Sequence, residues 1–94
     1  MIKKNHILII DSENKIVNFI SMALKAQGYK VTSSSSGKSG ILAFCTNNPD
    51  VILLDIDLPD IDGINIIEQI REVSQIPIAV ISARNNENDK ITCL

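Results

Sequence analysis

Asp11 and Asp55 each follow directly on a short run of branched aliphatics, Ile7–Ile10 and Val51–Leu54. Beyond the second run come Asp57, Asp60 and Asp62 in close succession. Carboxylates gathered at one place repel one another unless one is protonated or a cation sits among them. Hard oxygen ligands that leave room for water suit Mg²⁺. Asp11 and Asp55 together therefore suggest a shared cation site. A third apolar run, Pro77–Ile81, also ends in a polar residue, Ser82. Plainer roles compete for the single residues. Asp62 can cap the helix after it, Ser12 can cap the first helix, and Asp60, after Pro59, reads as a solvated turn residue.

These residues need a scaffold that brings them together, and the periodicity supplies one. Ile7–Ile10, Val51–Leu54 and Pro77–Ile81 read as buried strands. Tyr29–Ser33 reads as a weaker strand at the sheet edge, with Val31 inward. Between the first two strands Ile16, Ile20, Ala23 and Leu24 recur at helical spacing, and Gly28 is a natural stop. After "SSSSGKSG" a loop and a short second helix run to Asn47-Asn48-Pro49. A third helix, capped by Asp62, buries Ile64, Ile67 and Ile70 with Val73 or Ile66. A fourth is expected from about Asn86. Alternating strands and helices imply a parallel sheet covered on both faces, with its ligand site at the carboxyl rim. With strand order 2-1-3-4, Asp11 and Asp55 end neighbouring strands about 5 Å apart.

Composition narrows the function. The chain has 94 residues, enough for one domain, and no internal repeat or linker marks a second. Aromatics are only 3%, so Ile, Leu, Val and Ala must build the core. The net charge of −2 and the lack of a basic cluster argue against nucleic-acid binding by this chain alone. No apolar run approaches a membrane span, so a cytoplasmic protein is expected. Cys45 and Cys93 lack metal spacing and are expected to be reduced thiols. His6 has no partner signal for catalysis. The serine run lacks the Gly-x-Gly spacing of a phosphate-cradling loop.

The stretches "HILIIDSEN", "PDVILLDIDLPDIDGINIIEQIR" and "IPIAVISARNNENDKI" together resemble the receiver domain of bacterial two-component response regulators. The "SAR" after the last strand is similar to the subfamily with winged-helix DNA-binding output, of the potassium-transport regulator type. The resemblance covers the chain from its first strand to its last residue. It implies a flavodoxin-like (CheY-like) α/β fold and a single receiver domain over 1–94, incomplete at its C-terminal side because the fifth strand and helix are absent. Asp55 matches the phosphoacceptor, which takes a phosphoryl group from a sensor histidine kinase. Asp11 matches the first of the paired acids that hold Mg²⁺, and Asp57 the residue whose backbone carbonyl joins them. Ser82, Ala83 and Ile56 match phosphoryl-contacting positions. Asp57 and Arg84 match positions that tune the dephosphorylation rate. Pro59 and Gly63 set the turn that returns the loop to its helix. DNA would be reached only through an output domain outside this chain, and the domain would be a switch rather than an enzyme, with at most self-dephosphorylation.

Two departures stand out. The family's second acid is Ser12 here, so Ser12 or Glu13 would have to complete the cation site, and Mg²⁺ binding is expected to be weak. The family's lysine after a fifth strand lies beyond this chain, and Lys90 falls on the wrong element. Ser12 favours an alternative: a pseudo-receiver acting as a phosphate-independent dimerisation module. A Mg²⁺-dependent phosphatase using Asp55 and Asp57 is a third reading, but it lacks a general acid. An unpaired edge on the fourth strand, with apolar surface left open, would favour a dimer or a swapped dimer.

Overall fold

The computed structural model describes residues 5–81 and the backbone of 91–93. The elements are β1 (His6–Ile10), α1 (Asn14–Ala26), β2 (Lys30–Ser34), α2 (Gly37–Asn47), β3 (Val51–Asp55), α3 (Gly63–Arg71), β4 (Ile78–Ile81) and β5 (Ile91–Cys93). They build one sheet in the order β2-β1-β3-β4-β5. The pairs among β1 to β4 are parallel, as alternating strands and helices require, whereas β5 runs antiparallel to β4. This corrects two expectations. Residues 91–93 form a strand rather than continuing a helix from Asn86, and β4 is not an unpaired edge. The short β5 satisfies backbone groups of Ala79–Ile81 that would otherwise face solvent. The intervening residues of the expected helix lie outside the described part.

After His6, β1 is apolar on both faces because helices cover the sheet on both sides, and all five of its residues are buried. On one face Leu8, Ile10, Phe44, Ile52, Leu54, Ile66, Ile70 and Ile78 pack together beneath α2 and α3. On the other, Ile7, Ile9 and Val17 meet Ile20, Leu24 and Val31 beneath α1, and Val51 and Leu53 there are only half-buried. α3 presents Ile66, Ile67 and Ile70 to the core, while Ile64 and Val73, expected to be buried, are exposed. Starting the helix at Gly63 aims Ile66 and Ile70, one turn apart, at the sheet, and Ile64 points away.

The helix ends follow local chemistry. Gly28, at φ +93°, closes α1: its N–H donates to Lys25 O and the Tyr29 N–H to Leu24 O, a Schellman arrangement. Tyr29 belongs to this cap, so β2 starts one residue later than expected. Asn48, at φ 53°, ends α2. Of the serine run, Ser33 and Ser34 lie in β2, and Ser36 caps α2 by accepting the Ser39 N–H. At the amino rim, His6 shares a 2.6 Å hydrogen bond between its Nε2 and the Thr32 hydroxyl. Its backbone N–H donates to Asp50 Oδ2 at 2.7 Å. His6 is therefore a buried tie between β1, β2 and the start of β3, at the end of the sheet opposite the acids. Among the described residues no helix is long and apolar enough to cross a membrane.

Candidate phosphoacceptor site

Parallel registration places the acids side by side. Ile10 of β1 pairs with Leu54 of β3, so Asp11 and Asp55, next in each chain, meet at the carboxyl rim. Asp55 in turn registers with Ile81 of β4. Asp11 is only 2% exposed. Its Oδ1 accepts the Glu13 N–H at 2.8 Å. Burial pushes its carboxyl above the usual range, and the charges of Asp55 and Glu13 and a hydrogen bond to Asp55 add to that rise, while the Glu13 N–H opposes it. Asp55 is half-buried, and its Oδ1 accepts the Asp57 N–H at 3.0 Å. Two carboxylates are thus held in mutual repulsion at one rim, the arrangement that a divalent cation relieves.

The donor set fits a hard cation in part. Asp11 and Asp55 supply carboxylates, and Asp57, half-buried beside them, has a backbone carbonyl to offer. Among the described residues no group of three acidic, histidine or cysteine side chains is arranged to hold a metal. Ser12 and Glu13 are both exposed. Ser12 is not the helix cap: Glu13 takes that position, without a side-chain cap bond, and its own backbone N–H donates to Asp11 Oδ1. Of the two alternatives for completing the site, Glu13 is the one whose charge acts on Asp11.

The loop after Asp55 is pinned to α3 and α2. Gly63 donates its N–H to Ile56 O at 3.0 Å, and Asp62 caps α3 by accepting the Ile64 N–H at 3.0 Å, as its position suggested. Asp60 is an exposed residue of the loop, as expected, but it is not free of structure. It accepts the Gly37 N–H at 2.8 Å and the Lys38 N–H at 3.0 Å, and so caps α2 from a distant loop. Sequence reasoning missed this pairing because nothing local signals it. The one trace was a glycine, Gly37, at the start of a helix. Ser82, Ala83 and Arg84 lie outside the described residues. Cys45 is a free, exposed thiol.

Comparison with known proteins agrees with this geometry. The KDP operon transcriptional regulatory protein KdpE of Escherichia coli K12 is 40% identical over 89 residues, which cover 95% of this chain and 40% of that regulator. The chain thus spans about two-fifths of that relative's length. The BeF3-activated receiver domain of Klebsiella pneumoniae RstA superposes with a TM-score of 0.82 at 25% identity, over 86% of this chain and 69% of that one. A chain from the complex of histidine kinase ThkA with response regulator TrrA superposes with a TM-score of 0.79 at 27% identity, over 86% of this chain and 71% of that one. The family description "Response regulator receiver domain" matches residues 7–94, almost the whole of the sheet and helices described above. With two acids side by side at the carboxyl rim of a 2-1-3-4 parallel sheet, the chain belongs to the receiver domains of response regulators.

Proposed function

We propose that this domain accepts a phosphoryl group on Asp55 from a phosphohistidine of a sensor kinase and passes the added charge on as a signal to a transcription-regulating output domain. A carboxylate oxygen of Asp55 attacks phosphorus, the P–N bond to the imidazole breaks, and its electron pair stays on the ring nitrogen. The product is an acyl phosphate, and a carboxylate nucleophile is weakly basic enough to need no general base. Asp11, Asp55 and the Asp57 carbonyl would hold Mg²⁺, which when bound offsets the repulsion between the acceptor carboxylate and the incoming phosphoryl group. The backbone N–H groups after Asp55 would orient the phosphoryl oxygens, with Ser82 and Ala83 contributing from the end of β4. Asp57 and Arg84 would govern access of the hydrolytic water.

The observation that carries this reading is the buried Asp11 beside Asp55, its carboxyl pushed upward by burial and by its neighbours' charge. That arrangement is costly without a cation and useful with one. The relatives are transcriptional regulators, and one structural neighbour comes from a complex with a histidine kinase. Incubation with phosphoramidate and Mg²⁺, followed by intact mass, tests the proposal. A single phosphoryl adduct that disappears in Asp55→Asn supports it, and no adduct in the presence of Mg²⁺ removes it. One observation favours the pseudo-receiver alternative: exposed Ser12 stands in place of a second acid. That alternative predicts no adduct and an oligomeric state indifferent to the phosphoryl donor.

A further inference from the structure

We infer that Asp60 is a positioning residue for phosphoryl acceptance, tying the loop between β3 and α3 to the first turn of α2 and so fixing the backbone of Ile56 and Asp57 beside Asp55. The inference rests on the proposed phosphoacceptor role of Asp55.

Three observations carry it. First, Asp60 spans elements. Its two carboxylate oxygens accept the Gly37 and Lys38 N–H groups at 2.8 and 3.0 Å, across 23 and 22 residues of chain. Three further hydrogen bonds of this loop are local: Asp57 N–H to Asp55 Oδ1, Gly63 N–H to Ile56 O, and Ile64 N–H to Asp62 Oδ1. Local bonds set the shape of a loop but do not fix it against the rest of the domain.

Second, α2 leaves these donors open to Asp60. The first N–H groups of a helix have no partner within it. The Ser36 hydroxyl oxygen accepts the Ser39 N–H, and Gly40 donates the first intrahelical bond, to Ser36 O. Gly37 and Lys38 are satisfied from the loop. The two bonds, that of Lys38 foremost, hold the Asp60 carboxyl below the usual carboxylate range.

Third, the loop and the helix meet too closely for a side chain at the junction. A Cβ on Gly37 would lie 2.8 Å from Ile66 Cδ1, 3.0 Å from Ile61 Cβ and 3.3 Å from Asp60 Oδ1. Leu58 and Ile61 pack onto the core from the same loop. The segment that carries the groups nearest Asp55 is therefore seated on α2, and Asp60 is the polar part of that seat. Phosphoryl transfer depends on preorganised donors, so looseness there should appear in the rate before it appears in the fold.

The test compares the 94-residue wild type with Asp60→Ala and with Asp60→Asn, which keeps an acceptor oxygen without the charge. Amide exchange is followed by NMR, and labelling of Asp55 by phosphoramidate is followed by intact mass across a Mg²⁺ titration. In Asp60→Ala, exchange should quicken at Gly37 and Lys38 and also, by about fivefold, at Ile56 and Asp57. Labelling at saturating Mg²⁺ should slow by about tenfold, with a smaller change in the Mg²⁺ concentration at half-maximal rate. Asp60→Asn should recover part of both. If only Gly37 and Lys38 respond, with Ile56, Asp57 and labelling as in wild type, Asp60 is a helix cap alone and the inference is overturned. If the wild type takes no label, the proposed function of Asp55 falls, and exchange at Ile56 and Asp57 decides the positioning by itself. Should Asp60→Ala not fold, Asp60→Asn carries the same comparison.

Discussion

Gly63 lies directly against the backbone of Ile56: its N–H donates to Ile56 O at 3.0 Å, and a Cβ at position 63 would fall 2.6 Å from Ile56 Cα. The obstacle is main chain, which cannot rotate away as a flexible side chain can. Gly63→Ala should therefore destabilise the domain by about 1–3 kcal/mol, the usual cost of overpacking. The loop beside Asp55 should shift with it. Thermal unfolding checks the first effect and the Asp57 amide shift checks the second. An unchanged melting temperature would mean that the loop yields freely at this point.

If Asp11 and Asp55 hold Mg²⁺ as proposed, Ser12 stands where a second acid would complete the site. Ser12→Asp should strengthen Mg²⁺ binding by about tenfold, equivalent to about 1.4 kcal/mol. It should also lower the melting temperature without metal, because another carboxylate joins Asp11, Asp55 and Glu13. Mg²⁺ titration and metal-free melting of both proteins measure the two opposed effects. Unchanged affinity would show that position 12 does not face the cation.

Asp11 is buried and repelled by its neighbours, yet its Oδ1 accepts the Glu13 N–H. Asp11→Asn keeps that acceptor and removes the charge. At neutral pH in chelator it should raise stability by about 1 kcal/mol, roughly 4–8 °C for a domain of this size. Mg²⁺ should then lose its stabilising effect. A lower melting temperature would show that the charged form of the Glu13 hydrogen bond outweighs the repulsion.

The carboxyl of Asp60 is held below its ordinary value of 3.8 by the Lys38 and Gly37 N–H groups. At pH values between the folded and unfolded values the unfolded chain binds the extra proton. The contribution of Asp60 is thus fully present above about pH 5 and is lost as pH falls through 3.8 and below. The gap in melting temperature between wild type and Asp60→Ala should be constant from pH 5 to 7 and shrink below pH 4. A gap that does not change with pH would mean that the ionised carboxylate is not what holds the loop.

Phe19 and Met22 on α1 are 75% and 73% exposed, on the side of the sheet where Val51 and Leu53 are only half-buried. Such a face favours association. Sedimentation of the 94-residue chain should show mass rising with concentration, and Phe19→Ser with Met22→Ser should reduce the rise without lowering the melting temperature. A monomer across the whole range would remove this expectation, which now rests on α1 rather than on an open β4 edge.

The central strands and the acids at their ends were legible because both signals are local. Ile7–Ile10 and Val51–Leu54 are runs with no polar face, and such runs belong inside a parallel sheet. Once β1 and β3 are neighbours, Asp11 and Asp55 must meet. The cap of α3 by Asp62 was legible for the same reason. Asp60 was not, because its partners lie on α2, and only the folded chain brings them within reach. β5 escaped notice because Ile91–Cys93 is three residues long and gains its pairing from the free side of β4, a tertiary opportunity with no periodic trace. The choice of Ile66 over Ile64 and Val73 turned on where α3 begins, and periodicity alone does not fix a helix phase to one residue.

The aliphatic run Ile7–Ile10 of β1 also shapes how the chain is made. It leaves the ribosome before both its neighbours, which arrive late: β2 only after α1, and β3 only after α2 as well. Parallel pairing cannot be closed by a tight turn, so β1 stays without a full complement of partners until β3 has been made. During that interval its exposed aliphatic run favours association with other chains. The strand that delivers Asp11 to the site is thus more exposed during synthesis than it will be once β3 is in place.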